Sequence, residues 1–453
     1  MQKHSQSMIR GPLLPSIISY TIPLILTSVL QLLFNAADLV IVGRFCGSVS
    51  VAAVGATGAI TNLVINLFIG FSVGAGVTVA HGMGAREEEA VHRTVHTALP
   101  TAMLGGVVLT VIGVIFAEDL LTMMGTPESV LPLSTVYMQI YFGGMVFNMV
   151  YNFVASILRA VGDTRSPLIF LSAAGVLNVG LNVVFVTVFH MNVAGVALAT
   201  TIAQAVSAIL VTITLMRRKD ACRLYLKKMR FYKVQLLKII RIGLPAGLQS
   251  SLFSISNVMI QSSINSFGEV VMSGNAAAGN LEGFVYVIMN AFHQTAVNFV
   301  GQNVGARQYD RVKKTLYLCL GCVTAVGLVT SILMYSFAPQ LLAIYITDSS
   351  EAIASGVVRM SVVCLTYFLC GLMDTSTGAL RGMGASVTPM IISVLGVCGI
   401  RLGWIFTIFQ IPQFHTPWWL YFSYPISWLA TFAAQFFAFQ KLYRQRVKML
   451  QEN

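Results

Sequence analysis

Runs of twenty or more predominantly apolar residues recur along the whole chain, and that pattern leaves few folds open. About twenty helical residues cross a hydrocarbon core of roughly 30 Å. Lipid offers the backbone no hydrogen-bond partners, so only helices or closed barrels can span it. A barrel needs ten-residue pieces of strict alternation, which this sequence lacks. Composition agrees: of 453 residues 56% are hydrophobic and 10% charged, where a soluble domain carries about 25% charged residues. The expectation is an all-α polytopic membrane protein.

The apolar runs place twelve transmembrane helices at 13–43, 52–80, 94–117, 132–158, 167–190, 194–216, 236–267, 274–302, 314–338, 355–380, 388–411 and 417–440. The start, MQKHSQSMIRGPLLP, leads into an apolar region of about thirty residues without a small-residue cleavage site, so the first helix is expected to be retained. Seven cysteines, an odd number, indicate no disulfide framework. Cys319 and Cys322 have CxxC spacing but no second Cys/His pair nearby, which favours ordinary helix cysteines over a metal or redox centre.

The net charge is +12, and nearly all of the basic residues fall in alternate loops. Lys3 and Arg10 precede the first span, ten bases lie between Arg217 and Arg241, and Lys441 to Lys448 follow the last span. The opposite loops hold Glu118, Asp119, Glu128, Glu269, Asp348 and Glu351 with a single base, Arg44. The positive-inside bias puts both termini in the cytoplasm, in a multi-pass protein of the cytoplasmic membrane. Topology accounts for the positive charge, and no nucleic-acid partner is expected.

The chain also repeats itself. LRAVGDTRSPL (158–168) matches LRGMGASVTPM (380–390), IPLIL at 22 matches LPAGL at 244, and HGMGAREEEAVHRTV at 81 matches QNVGARQYDRVKKTL at 302. A near-constant offset over separated anchors is the mark of an internal repeat. Two six-helix lobes follow: 1–216, then a basic cytoplasmic linker 217–235, then 236–453. Six spans restore the orientation, so the halves are parallel repeats, common in secondary transporters with a site at the repeat interface.

Three acids remain deep inside spans: Asp38, Glu282 and Asp374. An ionisable side chain at the bilayer centre costs on the order of 3 kcal/mol and usually faces the bundle interior for a functional reason. Gln31, Asn35 and Asp38 stand at i, i+4 and i+7 on one helix face, and Ser250, Ser254, Asn257, Gln261 and Asn265 form a similar stripe in the second half. Glu282, Tyr286, Met289 and His293 fall on one face of the eighth helix, and Asn178 and Asn182 are one turn apart in the fifth. Burial disfavours the charged form of a carboxylic acid, so such a group can take up a proton near neutral pH. Carboxylate and amide oxygens can also replace water around Na⁺, and an acidic seam attracts organic cations. No zinc-protease, Walker A, nucleophile-elbow or kinase signature is present, so an enzyme is not expected. The glycine-rich GFSVGAG (70–76) reads as a helix-packing segment.

NAADLVIVGRFCGSVSVAAVGA (35–56), GMGAR, QNVGAR, LRAVGDTRSPL, LNVGLNVVFV (177–186) and VAGVALATTIAQ (193–204) together resemble the MATE (multidrug and toxic compound extrusion) family. The resemblance covers nearly the whole chain in the expected order. It implies a two-lobed fold of twelve helices with a central cavity, and antiport in which H⁺ or Na⁺ enters as organic compounds leave. The family's first-helix acid falls on Asp38, its fifth-helix asparagine on Asn178 and the threonine of its ALAT segment on Thr200. Asp374 resembles a second-lobe acid of some branches. Two departures stand out: many bacterial members read Leu-Asp where this chain has Leu181-Asn182, and the seventh helix lacks the glutamate of another branch. Losing a carboxylate weakens a Na⁺ site, since cation affinity falls with ligand charge.

The sequence is therefore read as a secondary antiporter, functional as a monomer, that exports organic and mainly cationic compounds by alternating access. No cofactor is expected beyond the coupling ion. Asp38, Asn178, Asn182 and Thr200 are the expected ion-coupling residues, with Asp38 the place for Na⁺ if Na⁺ is used. Gln31, Asn35, Asn257, Glu282, Tyr286, His293 and Asp374 are the expected cavity residues. The alternative is a flippase or exporter of a lipid-linked or other specific metabolite in the same superfamily. Such proteins often have a basic cavity, and the clearest deep base here is Arg401, with Arg359 nearer the end of its span.

Overall fold

Backbone self-sufficiency in lipid is met here by helices throughout. The computed structural model describes residues 8–347 and 349–452, so Lys3 and Asp348 lie outside the described residues. Among the described residues there is no strand. In the first half, α1 is Leu13–Phe45, α2 Ser48–Ala85 and α3 Glu88–Ile115. The fourth helix, α4, is Leu131–Gly143 and Met145–Ala160, bent by 47°. After it come α5, Arg165–Val188, and α6, Asn192–Arg217. The second half holds α7 (Lys233–Asn265), α8 (Glu269–Gly305) and α9 (Tyr309–Ser336). Its fourth helix, α10, is Ser350–Cys364 and Tyr367–Gly382, bent by 41°, and is followed by α11, Val387–Gln410, and α12, Pro417–Gln451.

Seven of these helices are long and apolar enough to cross a membrane, and α4 and α10 join them when each bent pair counts as one span. The remaining three, α7, α8 and α12, have 33, 37 and 35 residues. They are long enough to cross, but polar residues interrupt their apolar runs. In α8 those residues are largely buried, Glu282, His293, Asn298 and Gln302 among them. Facing protein rather than lipid, they are compatible with a helix inside a bundle.

The repeat seen in sequence extends to backbone geometry. The ends of α3 and α9 are both 221 positions apart, and those of α5 and α11 both 222. The bends in α4 and α10 are also equivalent. Gly47 and Gly268, before α2 and α8, share φ/ψ near 88°/174° and 89°/178°, a region essentially reserved for glycine. Even the left-handed residues ending α2 and α8 recur, as Arg86 at φ 59° and Arg307 at φ 57°.

By packing, residues 22–251 make one unit, and residues 8–21 with 252–452 make the other. Chain order and packing thus divide the molecule at different places. The basic linker follows six helices, whereas the packing boundaries fall inside α1 and α7. A glycine crossing explains why the first part of α7 belongs to the first unit. A Cβ on Gly247 would stand 2.2 Å from the Leu67 carbonyl oxygen, and one on Gly70 2.3 Å from the Gly247 nitrogen. Gly74 and Gly243 continue the same close approach. The GFSVGAG stretch is thus a backbone-to-backbone helix contact.

One apolar core of the first unit gathers around the α4 bend and includes Leu109 of α3, Leu215 of α6 and Phe142, Met145 and Met149 of α4. The linker docks on the start of α3. The Tyr225 N–H donates to His96 Nε2 at 3.0 Å, and the Tyr232 N–H to Thr97 Oγ1 at 3.2 Å. Arg223 and Lys228 lie over the Tyr225 ring, 5.0 and 4.9 Å from its centroid. Cys222 is buried beneath this strap, and burial pushes its thiol up, with the neighbouring Asp220 adding to the effect.

Gly247→Ala is expected to destabilise the protein by about 1–3 kcal/mol through overpacking. Gly279→Ala, where a Cβ meets nothing within 4 Å, should be neutral or slightly stabilising, because alanine is the better helix former. Thermal unfolding of the two purified variants checks the contrast.

Candidate ion and substrate sites

The first unit gathers its polar side chains on one carboxylate. Asp38 sits on α1 and is half-buried. Asn178 and Asn182 project from consecutive turns of α5, as their four-residue spacing requires, and both are buried. Each donates its Nδ2 to Asp38 Oδ1, at 2.8 and 2.5 Å. The Thr200 hydroxyl of α6 has one hydrogen to give and two acceptors in reach, the other Asp38 oxygen, Oδ2, at 3.4 Å and the Val196 carbonyl one turn back at 3.0 Å. Two helices thus offer neutral donors to an acid carried by a third, and among the described residues no basic side chain takes part. The carboxamide oxygens of Asn178 and Asn182 are buried without a hydrogen-bond partner among the described residues. Two neutral oxygens beside a carboxylate are what a proton-bearing acid or an oxygen-seeking cation such as Na⁺ can use.

The second unit handles its deep acid differently. Glu282, expected as a cavity acid, is 3% exposed and its carboxylate is already engaged. Arg359 Nη2 donates to Oε2 at 2.7 Å and Nε to Oε1 at 3.1 Å. The fork's other arm, Nη1, donates to Asn275 Oδ1 at 2.6 Å. Asn275 in turn donates to Gln261, and Gln261 to Asn265, at 3.1 and 2.8 Å. The Tyr421 and Tyr424 rings of α12 cover the guanidinium. Arg359 is 8% exposed and immediately precedes a π-helical turn, Met360–Cys364, at the α10 bend. In sequence Arg359 stands near a span end, and the 77 residues between it and Glu282 leave helical spacing no way to pair them. The available signal was the presence of an acid and a base, each inside an apolar span of the same half.

Asp374 and His293 lie together, also in the second unit. His293 Nδ1 is 2.7 Å from the Asp374 carbonyl oxygen, and its Nε2 is 3.4 Å from Arg381 Nη1. A carbonyl only accepts and a guanidinium only donates, so this geometry holds the imidazole neutral, with its proton on Nδ1. The Asp374 side chain is 9% exposed. Of the other expected cavity residues, Gln31, Asn35, Asn257 and Tyr286 are all exposed. The stripe Glu282, Tyr286, His293 is real as helix geometry, yet its members meet different surroundings. Over eleven residues of α8, successive turns face different parts of the bundle.

Among the described residues, twelve long helical segments in two repeated halves, with acids held inside them by polar partners from several helices, define a multi-pass membrane transporter. The sequence profile of the MatE family matches residues 23–184 and again 245–406. The chain belongs to the MatE family of transporters. It is 28% identical over 390 residues to the "Probable multidrug resistance protein YoeA" of Bacillus subtilis, covering 84% of each chain. It is 25% identical to the "Probable multidrug resistance protein NorM" of Thermotoga maritima, over 85% of this chain and 83% of that one. Among solved structures, its fold matches one described as the outward-facing conformation of a multidrug resistance MATE family transporter, with TM-score 0.91, 20% identity and coverage of 98% and 99%. A MATE structure in the bent conformation gives TM-score 0.89 at 19% identity, covering 98% of both chains.

Removing one member of a buried, hydrogen-bonded ion pair leaves a bare charge and costs about 3–5 kcal/mol, whereas replacing both by apolar residues is often near neutral. Arg359→Met is therefore expected to lower the unfolding temperature strongly. Adding Glu282→Met in the same chain should recover most of the loss, and a double-mutant cycle in thermal unfolding checks it.

Proposed function

We propose that the protein is a cation-coupled antiporter of the cytoplasmic membrane, exporting organic compounds by alternating access while a proton or Na⁺ enters on Asp38. The observation that carries this reading is the Asp38 carboxylate held by Asn178, Asn182 and Thr200, with no basic partner among the described residues. An acid paired with arginine, such as Glu282, is neutralised within the protein and has little reason to exchange a cation. Asp38 is free of that constraint and can alternate between bound and released states as access switches. The family membership and the names of the relatives support export of drugs or similar compounds. The charge pattern supports cytoplasmic termini, and the duplication that puts both lobes on one chain supports a monomer.

The test is efflux of a fluorescent organic cation from vesicles containing the purified protein, under a pH gradient or a Na⁺ gradient imposed separately. One gradient should drive efflux in wild type, and Asp38→Asn, which keeps the side-chain volume but cannot ionise, should reduce it at least about tenfold. Normal export by Asp38→Asn would make Asp38 a packing acid and end this mechanism. Asn182→Asp places a second carboxylate against the first. Because cation affinity rises with ligand charge, this variant is expected to show tighter Na⁺ dependence of efflux than wild type, measured as the Na⁺ concentration for half-maximal rate.

A further inference from the structure

The second unit buries two arginines against the same tyrosine, and only one of them has an acid. Arg359 takes Glu282, Asn275 and the faces of two rings. Arg401, on α11 just after the π-helical turn Val394–Gly399, is 4% exposed. Its Nε donates to Ser427 Oγ at 3.0 Å. Its guanidinium carbon lies 4.0 Å from the Tyr424 ring centroid and 5.6 Å from that of Trp428. The groups that otherwise act on it, including Tyr367 and Cys370 of α10, are neutral when protonated. Among the described residues no carboxylate forms an ion pair with it, and no protein acceptor meets either terminal nitrogen.

A guanidinium presents five N–H donors in a flat fork matched to two oxygens of a carboxylate or phosphate. Ring faces attract it but do not replace its counter-ion. Arg359 shows how this unit completes such a group when the anion comes from the chain itself. At Arg401 the rings and hydroxyl are in place, and the acceptor for the fork is missing from the chain.

We infer that Arg401, with Ser427 and the rings of Tyr424 and Trp428, forms an oxyanion-binding subsite inside the second lobe that takes the carboxylate or phosphate of an organic ligand. The inference deepens the exporter reading and rests on it. The transported compounds include molecules with an anionic group beside an apolar or cationic body, so a zwitterion suits the protein better than a simple cation. A lipid headgroup phosphate offers the fork the same chemistry.

The experiment is equilibrium binding to the full-length protein in phosphatidylcholine nanodiscs, read by fluorescence anisotropy of two dyes. One is a rhodamine with a free benzoate and the other its methyl ester; they share the cationic xanthene and differ by one carboxylate. Wild type is expected to bind the free acid about tenfold more tightly than the ester, in keeping with a charge-assisted paired contact. Arg401→Gln should bind both dyes alike, at the ester's affinity. Arg401→Lys, which keeps the charge without the fork, should retain part of the preference. Equal binding of the two dyes by wild type overturns the proposal whether or not a variant folds, as does a free-acid preference that persists in folded Arg401→Gln. Phosphatidylglycerol titrated into the nanodiscs identifies the source: erasing the wild-type preference assigns the subsite to a lipid headgroup, and leaving it intact assigns it to a soluble ligand. Binding needs no ion gradient, so the two readings fail separately. Lost gradient-driven efflux with the acid preference intact removes the antiport mechanism alone, and equal dye binding with intact efflux removes the subsite alone.

Discussion

A carboxylate inside an apolar span must be solvated by the protein itself, and the structure meets that demand in three ways. Asp38 receives three neutral donors from α5 and α6. Glu282 receives a guanidinium, which satisfies it and cancels its charge. Asp374 has the Arg381 guanidinium as the charge that acts on it, and its backbone carbonyl is bonded to His293. The consequences differ because neutral donors stabilise a carboxylate without replacing its counter-ion, whereas an arginine does both. In the mechanism proposed above, an acid of the first kind exchanges a cation during the cycle, while one of the second kind is already neutralised by its partner. On that reading the choice of partner distinguishes these acids.

The two halves share a backbone and diverge in what it carries. With the repeat offset of 222, Arg359 stands where the first half has Tyr137, Arg401 where it has Val179, and Asp374 where it has Asn152. The bends, the left-handed caps and the helix ends are common to both. Divergence therefore acted on side chains inside a conserved frame, leaving one half with an acid-centred polar site and the other with buried arginines. π-Helical turns accompany the polar groups: Asn182 precedes one in α5, Arg359 precedes one in α10, and Arg401 follows one in α11. Such turns rotate the residues beyond them relative to a regular helix, changing which neighbours a side chain can reach without changing the path of the span.

How much was legible in the sequence depended on the range of the interaction. Asn178 and Asn182 share a face because they are four residues apart, and the helix period alone places them so. The glycine-rich stretch at 70–76 announced close packing but not its partner, since Gly243 and Gly247 lie some 170 residues on. The stripe through Glu282, Tyr286 and His293 was a correct statement about α8 and an incomplete one about the site. Helical phase says which residues align, and the packing of neighbouring helices says what they meet. Arg359 was underestimated for the same reason, because its depth is set by the bend in α10 and by α8 and α12 across from it.

The sequence by itself determined that this chain is built of helices for lipid, that it is two copies of one six-helix plan, and where the acids lie along each span. Those properties follow from hydrophobic run length, internal similarity and the 3.6-residue period, all of which are local or translational. Only the tertiary structure decided which acid is paired with arginine and which with amides, which of the two arginines against Tyr424 meets an acid among the described residues, and where packing divides α1 and α7. Those outcomes depend on distances between helices far apart in the chain. They are fixed where packed helices bring side chains from distant parts of the chain onto one charge, as α5 and α6 do at Asp38 and α8 and α10 at Glu282.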